Sequence, residues 1–249
     1  MPASDAEVGG PTGHSYGAVI VAADERSLPD LQDALGSIRF SGWIAPPTEG
    51  YVVVLGDPGD GVVADGRRGV IEVGGMIAEP ATEPVLALRV RHDRQLALVA
   101  WRGGEEVVRY CSDPSREPGA GKDVLAEPYG VESAEILADL WGRPDAAERL
   151  SELLGDELDP DSVYESERLG ATLRLLGMPA WIVAVGALPR AMPTGPTVSD
   201  LMRLRAGATG LTGRTRDSLV RPVRRRQHPP PVIADPPTGS GTDLESWMF

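Results

Sequence analysis

Two rhythms of apolar residues run along this chain. Up to about residue 111 the apolar positions come in runs of strand length, and from about residue 130 they recur at helical spacing. Residues 1–15 are polar and Gly-rich and read as a leader without fixed structure. Residues 16–23 (YGAVIVAA) then form the first strand-length run. Ser27-Leu-Pro-Asp follows, with Ser27 as a helix cap and Pro29 in the first turn. Leu28, Leu31, Leu35 and Ile38 recur at helical spacing, which predicts an amphipathic helix over about 27–38. Residues 42–45 and 51–55 (YVVVL) predict two more strands. In 69–79 (GVIEVGGMIAE), Val70, Val73 and Ile77 fit a helix, although Gly74-Gly75 weaken it.

Residues 85–111 (VLALRVRHDRQLALVAWRGGEEVVRYC) read as three strands divided at His92-Asp93 and at Gly103-Gly104. A Gly-Gly loop suits a two-residue hairpin turn, which needs positive φ at both positions. That register places Arg102 opposite Glu105, Val99 opposite Val108, Ala97 opposite Tyr110 and Leu96 opposite Cys111. The middle strand is apolar on both sides, so it should be covered on both faces.

Helices dominate afterwards. Residues 134–141 and 146–154 carry apolar positions at i, i+3 and i+4, divided by Gly142 and Pro144. Ser162 and Glu165 spell a capping box for a helix through Leu169, Leu173 and Leu176, stopped by Gly177 and Pro179. Residues 190–249 are rich in Pro, Gly, Thr and Arg; only 199–206 suggests a helical turn. The order β-α-β-β-α-β-β-β followed by three helices predicts an α+β fold. It is an antiparallel-rich sheet with flanking helices, compatible with a ferredoxin-like split βαβ unit bearing an extra hairpin, then a three-helix subdomain and a disordered tail. The divisions are 1–15, 16–112 (α+β domain), 113–189 (loop and helical subdomain packed on it) and 190–249 (tail). Loss of the tail is expected to leave the body folded. In overall style, residues 16–190 resemble actinobacterial proteins of unknown function, and the resemblance implies no activity.

Charge divides the chain again. Residues 1–180 carry 15 basic and 32 acidic side chains, whereas residues 181–249 carry 9 and 5. Affinity for nucleic acid or anionic lipid rests mainly on Lys and Arg meeting phosphate, so the body is a poor candidate for either and the tail stays open. Cys111 is the only cysteine, which rules out an intramolecular disulfide and favours a reducing, cytoplasmic setting. No apolar run reaches the length of a membrane span, and the first residues lack the basic start and apolar centre of a secretory signal. Lys122 stands alone beside 23 arginines, the mark of a GC-rich genome.

Candidate chemistry is sparse. Gly119-Ala-Gly-Lys122 looks like the back half of a phosphate-binding loop. However, the position of its first glycine is Arg116 and that of its magnesium-binding hydroxyl is Asp123, so it reads as a connecting loop. Residues 56–61 (GDPGDG) follow a strand, but the spacing reverses the dinucleotide order and Asp57 and Asp60 would repel a pyrophosphate. A turn is the simpler reading, with a small-molecule pocket near Gly56–Gly61 as the alternative. His14, His92 and His228 lie in the leader, a turn and the tail, without metal-ligand spacing. Cys111 reads as a small buried apolar residue. No catalytic residue, cofactor motif or metal site is assigned. The tail holds Arg224, Arg225 and Arg226, then a Pro run, and ends on Trp247, Met248 and Phe249. The arginines meet either the chain's own acidic body, the simpler outcome, or nucleic acid or an acidic lipid surface. The aromatic end is exposed-looking and partner-binding in type. These features predict a non-enzymatic intracellular protein that acts through protein–protein contacts, partly through its tail. The alternatives are a small-molecule sensor or enzyme at Gly56–Gly61, and a nucleic-acid-associated protein.

Overall fold

The computed structural model describes residues 13–156, 164–187, 192 and 194–239. Seven strands make one antiparallel sheet in the order β6-β5-β4-β1-β3-β2-β7. Strands β1 (Tyr16–Ala22), β2 (Gly42–Ile44), β3 (Tyr51–Gly56) and β4 (Val85–Arg91) alternate with α1 (Leu28–Ser37), after β1, and α2 (Val70–Ala78), after β3. Their spatial order β4-β1-β3-β2, antiparallel at every step, is that of a ferredoxin-like split βαβ unit. The hairpin of β5 (Gln95–Arg102) and β6 (Glu105–Cys111) extends it on one side, and β7 (Met202–Leu204) on the other.

The period-2 pattern sorts side chains between two cores. Ile20, Leu55, Leu88, Leu98 and Tyr110 face the helical cap of α3 (Ala134–Leu140), α4 (Ala147–Gly155) and α5 (Glu165–Leu176). Val19, Val54, Ala87, Val99 and Cys111 face α1 and α2, where Leu35, Val73 and Ile77 complete the layer. The two-faced burial expected of the middle strand holds: Leu96 through Ala100 of β5 are all fully buried. In α2 Gly74 has a packing reason, because a Cβ there would lie 2.7 Å from Ala87 Cβ and 2.9 Å from the Trp101 ring.

Three local expectations change. First, Gly103-Gly104 forms the predicted turn with φ of 56° and 80°, and Arg102 opposes Glu105. Beyond that the pairs become Ala100–Val108, Val99–Arg109 and Ala97–Cys111, one residue off the simple count. A bulge leaves Val107 between two paired residues, and a single extra residue moves every later pair. Second, Ser27 gives no side-chain cap to α1. Asp24 does the local work instead, accepting from Arg26 N at 2.9 Å. Third, α5 begins at Glu165, which therefore cannot reach back as a capping-box acid, and Ser162 lies outside the described residues. The cap comes from far away: Asp93, in the β4–β5 turn, accepts from Ser166 N at 2.7 Å, and its carbonyl accepts from Glu165 N at 3.2 Å.

That cap ties α5 to the sheet above a buried polar group. Arg168 donates to Tyr110 Oη at 2.6 Å, to the carbonyl of Leu154 at 3.3 Å and to that of Asp156. Its Nε lies 3.5 Å from Glu165, which is fully buried. Burial pushes the Glu165 carboxyl above the ordinary range, and Arg168 pulls it back part of the way. A carboxyl raised in the folded state holds its proton more tightly there than in the unfolded chain. Its contribution therefore favours the fold below the ordinary carboxylate value of about 4.3 and is lost as the pH rises above it. Glu165→Gln should flatten the decline of stability as the pH rises above about 4. The slope is the readout in urea titrations, since the substitution also removes a counter-ion from Arg168. Parallel profiles for the two proteins would assign the pH dependence elsewhere.

Candidate functional site

The C-terminal segment was expected to be mostly unstructured. Residues 194–239 instead supply β7, the helix α6 (Gly210–Arg224) and an extended strap over residues 225–239. The stretch read as a single helical turn, 199–206, ends in β7 because Met202, Arg203 and Leu204 pair with Ile44, Trp43 and Gly42. Arg203 stacks over the Trp43 ring at 3.6 Å and pairs with Asp57, which fixes the edge strand to the loop after β3.

Of the arginine cluster, Arg224 faces inward and is only 8% exposed. It donates to Ser41 Oγ at 3.0 Å and to the carbonyls of Val63 (3.2 Å) and Arg39 (2.8 Å), and pairs with Asp65 at 3.0 Å. Arg224 is thus a structural anchor and not a free contact residue. Both terminal nitrogens of its guanidinium find two acceptors each on the body. Arg225 and Arg226 stay exposed. Trp247, Met248 and Phe249 lie outside the described residues.

The strap is held by the very stretch that looked like a phosphate loop. Glu117 is buried, pairs with Arg89 at 2.5 Å, and accepts from Val232 N at 3.0 Å. Arg109 donates to the Val232 carbonyl from the other side. Val232 and Ile233 are 2% and 4% exposed. Further on, Leu125 N donates to Pro237 O and Gly239 N to Asp123 O, both at 2.9 Å. Lys122 itself is exposed. The loop thus serves the chain's own tail, through Glu117 and backbone groups.

Residues 56–61 form a turn pressed on the sheet. A Cβ at Gly59 would lie 2.4 Å from Gly17 N and 2.5 Å from Tyr16 Cα, so close approach to β1 explains that glycine. Beyond the turn, a cleft of about 370 Å³ lies among Asp57, Asp60, Arg91, His92, Arg221 and Arg225, with His228 also on its wall. Sequence reasoning named Gly56–Gly61, yet it missed Arg91 and Arg221. The cleft draws on four separate stretches, at 41, 57–62, 91–92 and 217–228, and no spacing in the chain connects them. His92 and His228 share it, whereas His14 only lends its carbonyl to Asp93 N. Among the described residues no group of His, Cys, Asp and Glu is arranged to hold a metal ion. Cys111 is fully buried, and burial together with Glu117 pushes its thiol far up, which makes it a poor nucleophile.

α6 is the other distinctive feature. Leu211, Leu219 and Val223 are 76%, 77% and 57% exposed. Their spacing of eight and four residues sets them along one side of the helix. Exposed Arg214, Arg216, Arg221, Arg225 and Arg226 surround them. Gly213 and Arg224 are the buried residues of α6, and they face the body. No helix among the described residues is long and apolar enough to cross a membrane. Comparison with protein families, with curated proteins and with solved structures finds no match to this chain.

Two outcomes follow from this geometry. Removal of residues 200–249 strips β7, Arg224 and the Val232-Ile233 plug, and each buried aliphatic side chain contributes about 1.5–3 kcal/mol. The truncated chain should lose several such increments and unfold at markedly lower urea; an unchanged midpoint would make the tail an ornament. Cys111 in the native chain should react with a thiol reagent only as fast as the fold opens. Rapid stoichiometric labelling would contradict its burial.

Proposed function

We propose that this protein works through protein–protein contact and that α6 is its docking element for an acidic partner. The observation that supports this reading is the row of Leu211, Leu219 and Val223, held in water on a helix that the body grips from its opposite side. Exposed aliphatic residues in a single row carry a standing hydrophobic penalty, which a partner removes by covering them. The surrounding arginines select an acidic surface by charge and speed its encounter. Trp247, Met248 and Phe249 belong to the same proposal as further anchors, since aromatic side chains dominate contact energies.

The test is capture by the full-length chain from a native lysate, compared with Leu211→Asp/Leu219→Asp. Both positions are exposed, so the variant should melt within about 0.5 kcal/mol of the wild type. The partner bound by the wild type should be absent from the variant and should persist through nuclease treatment. Capture indifferent to the two substitutions would remove α6 from the reading. Capture lost to nuclease would replace protein contact with nucleic acid held by the arginines.

A further inference from the structure

The cleft between the 57–61 turn and the end of α6 has an ionic inventory that does not close among the described residues. Arg224, on its floor, is committed to Ser41, Val63, Arg39 and Asp65. Asp57 is committed to Arg203. Arg91 gives one donor to the carbonyl of Arg116 at 2.8 Å and has no carboxylate within ion-pair distance among the described residues. Arg221 and Arg225 likewise form no ion pair there, although Asp60 and Asp217 stand on the same walls. Three arginines without an ion pair among the described residues therefore line one small space, together with the two uncommitted carboxylates of Asp60 and Asp217, Gln227 and two imidazoles.

From this arrangement we infer that the cleft binds a small phosphate ester that carries hydroxyl groups. A guanidinium offers paired N–H donors that match phosphate oxygens, and three of them around one space exceed what a single carboxylate uses. The carboxylates of Asp60 and Asp217 repel a bare anion but accept hydroxyl hydrogens, so they favour an ester over inorganic phosphate. At about 370 Å³ the space lies at the small end of ligand pockets, the size of a phosphorylated sugar and not of a dinucleotide. Arg91 adds a reason for the anion to sit deep. Half-buried, beside Arg89, its charge is held at a disadvantage that a phosphate relieves. The glycines of the 57–61 turn take no part, since Gly59 is spent on its approach to β1.

The experiment is calorimetric titration of the full-length chain with glucose 6-phosphate, inorganic phosphate and glucose. Glucose 6-phosphate should bind, inorganic phosphate more weakly, and glucose not at all. Arg221→Gln and Arg225→Gln should each weaken the sugar phosphate about tenfold or more, the usual effect of losing a hydrogen bond to a charged group. Both side chains are exposed, so melting temperature should hold and separates lost binding from lost fold. Arg102→Gln, at the tip of the β5–β6 hairpin, should leave binding as it is. The inference is overturned if neither phosphate compound binds at millimolar concentration. It is equally overturned if Arg102→Gln weakens binding as much as Arg221→Gln, which would mark a diffuse ionic effect, or if both cleft variants bind like the wild type.

Discussion

A strand that is apolar on both sides cannot leave either side wet, and β5 is such a strand. From Leu96 to Ala100 its side chains alternate between two cores without one polar interruption. One face demands α2 and the other demands the α3–α5 cap, so a three-layer arrangement follows from a single five-residue run. The β4–β5 turn then adds direction. By capping α5 through Asp93, it fixes where the cap sits on the sheet as well as that a cap is needed. The buried Glu165–Arg168 pair lies under that junction, with Arg168 held by Tyr110 and by backbone carbonyls of the adjacent helix end, and Glu165 facing it without a hydrogen bond of its own among the described residues.

Charge holds the tail in place by a different logic. A buried ion pair adds little stability in itself because both groups have left water, but removing one partner strands the other. Arg89 and Glu117 are 2% exposed each, and the second oxygen of Glu117 takes the strap's backbone. Arg224 likewise answers four acceptors at once. These contacts specify position. The neighbouring Val232 and Ile233 supply the apolar burial that makes the position favourable.

Periodicity made most of the body legible. The strands of 16–22 and 51–56, the helix at 28–37, the meander and the three cap helices all rest on regular apolar spacing. What it concealed has physical reasons. The bulge at Val107 changes register without changing composition, so the Gly-Gly turn was readable and the pairs beyond it were not. α5 is capped by a residue more than 70 positions away, whereas local sequence offered Ser162. α6 buries little beyond Gly213 and Arg224, and a helix that packs so little of itself leaves no apolar stripe to mark its contact. The cleft is invisible for a related reason: its arginines come from a strand end and a helix end that only the fold brings together. The loop ending in Gly119-Ala-Gly-Lys122 shows the converse, a familiar spelling whose working residue is Glu117 and not Lys122.

The last strand of the sheet pairs with one about 160 residues earlier, and the strap meets Glu117 from 115 residues away. Such long loops close late, because their entropy must be met before their contacts return anything. On the ribosome the body emerges first and waits with the free edge of β2 and the strap's seat uncovered. Both are sticky surfaces until residues 202–204 and 232–233 arrive. The order of synthesis thus gives the nascent chain an interval of exposure that the finished molecule does not have, and the tail is what ends it.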